Sequence, residues 1–200
     1  YKDKEHYLFG HSMGSFITRL YALKYGKHLS GYIMMGSGAA NPMADMGLFL
    51  TAAISLFKGP RHISKFIDKM AFGSYNKAFK EKNGWLTTDD EVRMKYLGDK
   101  YCTFKFTVSA MNDLIRLNKE SNSKKWFKSL PESLPILIVS GSKDPVGDMS
   151  KGTDKINRLL LKENRYNVTY RLYENARHEI LNDFCRETVI ADIIYWLDFK

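Results

Sequence analysis

The chain has 200 residues and a mass of 23.1 kDa, one domain of ordinary size, and its 44% apolar and 14% aromatic content supplies a substantial core, which excludes a disordered or fibrous protein. Its net charge of +9 raises nucleic acid or an anionic membrane as partners, but residues 42–130 hold 16 Lys and Arg against 9 Asp and Glu, and the remainder is close to balance. Because basic and acidic residues alternate within that stretch, it reads as a solvated surface that leaves room for transient contact with an anionic membrane and does not point to nucleic acid.

From the amino end, His6–Phe9 is short, apolar and followed by Gly10, which predicts a strand. From Ser15, the residues Phe16, Ile17, Leu20, Leu23 and Lys24 recur at helical spacing and stop near Gly26. Tyr32–Met35 is a second strand, leading to the small-residue loop Gly36–Ala40 and Pro42. Gly36–Asn41 half resembles a dinucleotide fingerprint, but Asn41 occupies the sixth position and Pro42 follows, so it is set aside.

Between Met43 and Leu130 the pattern turns helical, with breaks at Gly59-Pro60, Gly73-Ser74, Asn83-Gly84 and Gly98-Asp99. The apolar run Met43–Phe57 contains Asp45 and spans fifteen residues, fewer than the roughly 20 a bilayer crossing needs. Ile136–Val139 restores the strand signal, and Ser140–Asp148 is its loop. A helix over Lys151–Leu161 follows, then a strand at Val168–Tyr173, a loop at Asn175–Glu179 and a terminal helix over Phe184–Leu197. Strands separated by helices imply a parallel sheet covered on both faces, interrupted by a helical insertion. Cys102 and Cys185 are far apart and have no His or Cys at ligand spacing, so no disulfide, metal or cofactor is indicated and a reducing, cytoplasmic setting is expected. A natural amino terminus, with any leader peptide, is expected upstream of Tyr1.

Gly10-His11-Ser12-Met13-Gly14 fits G-x-S-x-G, a turn that presents a serine hydroxyl at the carboxyl end of a strand. The pattern alone would arise by chance in roughly 7 of 100 chains this long. Its position between a predicted strand and a predicted helix gives it weight. The glycines at both ends are expected because strand and helix backbones approach closely there. A serine hydroxyl needs a base, and the base a carboxylate to orient it. Asp144 lies in the loop after the third strand, with Asp148 as the alternative acid, and His178 lies in the loop after the fourth. His6 falls inside a strand, His28 at a helix end and His62 in the insertion. His11 adjoins Ser12 and reads as a packing residue.

Gly10–Ser15, Gly141–Gly147 and Ala176–Asn182 resemble the monoacylglycerol lipase, lysophospholipase and serine-aminopeptidase-like branch of the α/β-hydrolases, as do Ala71–Asn76 and Cys102–Thr107 less specifically. The resemblance extends over the whole sequence. It implies an α/β-hydrolase fold with residues 1–41 and 131–200 as the last four core strands and residues 42–130 as a helical cap, the carboxyl-terminal portion of such a protein. It further implies Ser12 as nucleophile, His178 as base, Asp144 as its orienter and the Met13 backbone N–H as one oxyanion donor. Four further strands and a second donor are then expected outside this sequence. The expected activity is metal-free serine hydrolysis of a carboxylic ester, a monoacylglycerol or lysophospholipid, the apolar run Met43–Phe57 facing an acyl chain or else packing on the core. An aminopeptidase, a small-ester esterase and a silent binding module are the alternatives.

Overall fold

A computed structural model describes residues 4–200; Tyr1, the point upstream of which a natural terminus is expected, lies outside them. Four parallel strands, β1 (Tyr7–His11), β2 (Gly31–Met35), β3 (Ile136–Gly141) and β4 (Val168–Tyr173), form one sheet in the order β1-β2-β3-β4. Phe9 lies opposite Ile33, Ile33 opposite Leu137, and Leu137 opposite Thr169. β1 begins one residue later than predicted, at Tyr7, and runs on through Gly10 and His11, while His6 precedes it and its N–H donates to Ser30 Oγ.

The sheet buries both faces because side chains alternate along a strand. Tyr32, Met34, Ile136 and Ile138 pack with Trp126, Phe127, Leu130, Ile156 and Leu160. The residues between them, Ile33, Met35, Leu137 and Val139, pack with Ile180, Val189 and Trp196. Every residue of β2 and β3 is consequently buried, which accounts for their apolar runs Tyr32–Met35 and Ile136–Val139.

Helices α1 (Met13–Tyr25), α7 (Lys151–Lys162) and α8 (Arg186–Phe199) follow β1, β3 and β4. The connection from β2 to β3 carries α2 (Ala44–Lys58), α3 (Lys65–Phe72), α4 (Asp90–Gly98), α5 (Val108–Ser121) and α6 (Lys124–Ser129). Ser64, Asp89, Thr107 and Ser123 cap α3 to α6 by accepting first-turn backbone N–H groups, so these starts are written locally. No described helix is long and apolar enough to cross a membrane.

Arg19 ties the end of the insertion to α1. Its fully buried guanidinium donates to Ser121 O at 2.5 Å and Asn122 Oδ1 at 2.9 Å, and lies 4.2 Å above the Trp126 ring. Trp126 Nε1–H donates in return to Arg19 O at 2.7 Å. Burial pulls the guanidinium down to about 9, still cationic at neutral pH, so the carbonyls at the α5 carboxyl end and the Trp126 π-face serve as its counter-charge.

Candidate active site

Ser12 occupies the junction of β1 and α1 with φ 54° and ψ −121°, a conformation that costs a non-glycine residue on the order of 1–3 kcal/mol. Two backbone contacts hold it there. Its N–H donates to Met35 O at 3.0 Å, and its carbonyl accepts Ser15 N–H at 2.9 Å. Only one of the motif's two glycines is sterically required by the described residues. A Cβ on Gly10 would stand 2.4 Å from Gly14 O and 2.5 Å from Thr18 Cγ2, whereas a Cβ on Gly14 would meet nothing within 4 Å. The expectation that close backbone approach demands both is therefore corrected: the strand residue lies under the helix, and the helical one points away. Met13 opens α1, where a helix leaves its first backbone N–H groups without intrahelical acceptors.

Asp144 and His178 meet beneath this turn. His178 Nδ1 lies 2.9 Å from Asp144 Oδ2, and both side chains are almost wholly buried. A carboxylate only accepts, so Nδ1 carries the proton and Nε2 keeps its lone pair, the tautomer of a general base. The other carboxylate oxygen accepts Val146 N–H at 2.8 Å, which fixes the acid in its turn. Asp148 is exposed, four residues further along the same loop, and takes no part in the pair. Burial pulls the imidazole pKa down, but the charge and hydrogen bond of Asp144, with a smaller contribution from Glu179, outweigh it and leave the group above its ordinary value.

Gly36, at the end of β2, provides the room for this pair. Its φ is +57°, and a Cβ there would come within 2.9 Å of His178 Cε1 and 3.4 Å of Asp144 Oδ2. His11 packs, as its place in the turn suggests, but against His178: its ring centroid is 4.7 Å from that of His178, and its Nε2–H donates to His178 O at 3.4 Å. Burial, and then the neighbouring His178 charge, lower the His11 pKa. The Ser12 hydroxyl makes no hydrogen bond to His178 in this structure, yet its neighbour's ring rests on the imidazole. Ser12, Asp144 and His178 thus follow three different strands and gather at the carboxyl edge of one sheet.

Sequence periodicity gives no sign of two other contributors. Trp85, in the insertion, places its ring centroid 5.2 Å from that of His178 and accepts the His178 backbone N–H at 3.2 Å. Asp183, buried, accepts N–H groups from Thr88, Arg177 and Phe184, binding the insertion to the loop that carries His178. Tyr75 lies close by: burial, and then the Asp144 charge, push its phenol up to about 12, so it stays protonated. Among the described residues, no group of three or more His, Cys, Asp and Glu side chains could hold a metal ion.

The family described as serine aminopeptidase, S33, matches this chain over residues 1–184. No curated protein sequence matches it. A highly thermostable carboxyl esterase from Bacillus coagulans, solved in complex with glycerol, is similar in structure: TM-score 0.90 at 25% identity, over 98% of this chain and 65% of that one. A lipase in its open form gives a TM-score of 0.86 at 24% identity, over 98% of this chain and 65% of the other. A soluble variant of the monoglyceride lipase of Saccharomyces cerevisiae, bound to a substrate analog, gives 0.74 at 22% identity, over 97% and 61%. The last two likenesses show the fold alone. The chain spans 65% or less of the length of each of these three proteins.

Proposed function

Because this chain belongs to the serine aminopeptidase S33 family of the α/β-hydrolases, we propose that it carries the reaction centre of a serine hydrolase that cleaves carboxylic esters through an acyl-Ser12 intermediate. The observation that carries the reading is the buried His178–Asp144 pair beside a serine held at positive φ. Ser12 Oγ attacks the ester carbonyl carbon while its proton passes to His178 Nε2. Asp144 holds the imidazolium so formed, and the Met13 N–H donates to the oxyanion. The proton then moves to the departing alkoxide, and a water repeats the sequence to release the acid. Removing Ser12 leaves the base without a nucleophile.

The substrate we favour is a monoacylglycerol or lysophospholipid, and residues 42–130 are its cap. Support comes from the apolar stripe of α2, where Met46, Phe49, Leu56 and Phe57 are exposed, more than packing on one side of a helix requires. Lys58 and Arg61 follow directly and suit transient contact with an anionic membrane surface. Release of amino-terminal residues from peptides is the second reading, favoured by the family's description. A panel of p-nitrophenyl esters of increasing acyl length, run beside aminoacyl p-nitroanilides and a Ser12→Ala control, separates the two. Ser12-dependent turnover that rises with acyl length supports the lipid ester, and turnover confined to the anilides replaces it with the peptidase.

A further inference from the structure

We propose that Trp85 is a positioning residue for the base: the insertion carries it to the loop after β4, where its ring and carbonyl set the orientation of the His178 imidazole. This rests on the reading of His178 as general base given above. His178 N–H donates to Trp85 O at 3.2 Å and Glu179 N–H to Leu86 O at 2.7 Å, so two successive residues of one segment accept from two successive residues of the other. The pairing continues with Thr87 Oγ1–H donating to Asn182 O at 2.6 Å and Thr88 N–H to Asp183 Oδ1 at 3.1 Å. On the preceding side, Arg177 Nη1–H donates to Gly84 O at 2.5 Å and Thr87 O at 3.1 Å. Residues 84–88, more than 45 positions before β3 in the chain, are thereby stitched to residues 177–183.

The side chain completes the placement. Asp144 fixes one atom of the imidazole, Nδ1, and a single hydrogen bond leaves the ring free to swing about it. The Trp85 ring, 5.2 Å away and inclined at 41°, and the His11 ring, at 4.7 Å and 40°, are the surfaces that limit this swing. Trp85 is itself braced from within the insertion by Tyr75 at 5.3 Å, which in turn meets Phe72 at 5.8 Å. The Trp85 indole carries no charge that could replace the contact of the imidazole with Asp144. Trp85 therefore constrains direction, while the carboxylate constrains protonation.

Trp85→Phe, Trp85→Leu and Trp85→Ala in the complete protein test this. Steady-state kinetics on short-chain and medium-chain p-nitrophenyl esters are paired with the low-field proton NMR signal of the His178 Nδ1–H, which needs no turnover. A misplaced catalytic group costs up to about 10²-fold, so Trp85→Ala should lower kcat by about tenfold to a hundredfold, equally for both esters and with KM nearly unchanged. Its Nδ1–H signal should broaden or exchange faster. Trp85→Phe should restore both, and Trp85→Leu, which keeps apolar volume without a ring, should not. Wild-type kcat and an unaltered signal in Trp85→Ala overturn the proposal, as does a loss expressed in KM or growing with acyl length, which would make Trp85 a wall of the acyl site. If the wild-type protein shows no Ser12-dependent turnover, the hydrolase reading fails, while the NMR comparison still decides whether Trp85 orients the ring. If Trp85→Ala does not fold, the Phe and Leu variants carry the same comparison, and equal behaviour of those two would contradict a role for the ring.

Discussion

The two central strands of the sheet and the helices α2 and α3 of the insertion expose their apolar residues in opposite ways. All of β2 and β3 is buried, while Phe49, Leu56 and Phe57 on α2 are 72%, 81% and 85% exposed and Phe66 on α3 is 62% exposed. The residues proposed to carry the chemistry sit on the first region, at turns fixed by close backbone contacts: Ser12 on Met35 O, Asp144 on Val146 N–H, His178 against the space left by Gly36. One part of the insertion breaks this division, because residues 84–88 are hydrogen-bonded, through backbone and side chains, to the loop that carries His178. Buried, hydrogen-bonded backbone is the rigid part of a fold, and here that part extends from the sheet across to residues 84–88 beside the proposed reacting atoms, leaving the exposed helices for recognition.

The largest effect expected from breaking the rigid region is at Ser12. Ser12→Ala should lower ester turnover by at least about 10⁴-fold, with thermal denaturation unchanged, because the side chain makes no hydrogen bond that folding relies on. Asp144→Asn should cost somewhat less, on the order of 10³–10⁴-fold. It also moves the pH profile in a definite direction. The base works as neutral imidazole, so kcat/KM should rise with pH through a pKa above the ordinary histidine value, where Asp144 holds it. With the carboxylate neutralised, burial dominates and the acid limb should move to lower pH; an unchanged limb in Asp144→Asn would remove Asp144 from the base's environment. Should Asp148→Asn instead reproduce the loss while Asp144→Asn does not, the acid has been misassigned.

Gly36→Ala tests the same region by steric means. A Cβ at 2.9 Å from His178 Cε1, at a φ of +57°, should displace the imidazole and lower kcat about tenfold or more, with roughly 1–2 kcal/mol of lost stability from the left-handed backbone. Smaller effects belong to the exposed region. Each methylene buried by the cap is worth about 0.8 kcal/mol, about fourfold in kcat/KM, so lengthening the acyl chain should raise activity stepwise. Leu56→Ser with Phe57→Ser should weaken sedimentation with anionic lipid vesicles and leave turnover of a dissolved short ester unchanged. Equal vesicle binding by the double variant would assign the exposed stripe another purpose.

The rigid region is also the one the sequence announces. Gly10–Gly14 between a strand and a helix, Asp144 and His178 on loops after strands, and the buried runs Tyr32–Met35 and Ile136–Val139 are local patterns with local causes, and each lies where its pattern places it. Three of the four breaks inside the insertion fall at the ends of α2, α3 and α4 for the same reason, since Gly59, Gly73 and Asp99 follow their last turns, while Asn83-Gly84 lies in the turns between α3 and α4. Trp85, Asp183 and Gly36 were not legible as members of the site. Trp85 and Asp183 act through contacts between segments about 90 residues apart, and Gly36 through a space that exists only once His178 has arrived. The requirement for Gly14 was overstated because the motif does not reveal which side of the turn the helix lies on.

The central claim is that Ser12 is an activated nucleophile, and covalent capture by a fluorophosphonate probe tests it most directly. In the complete protein, peptide mapping should find the phosphonyl group on Ser12 alone, formed at a rate that rises with pH as His178 deprotonates and vanishes in Ser12→Ala and in His178→Ala. Labelling that persists in His178→Ala at the wild-type rate, or that maps to another residue in the folded protein, would contradict the account.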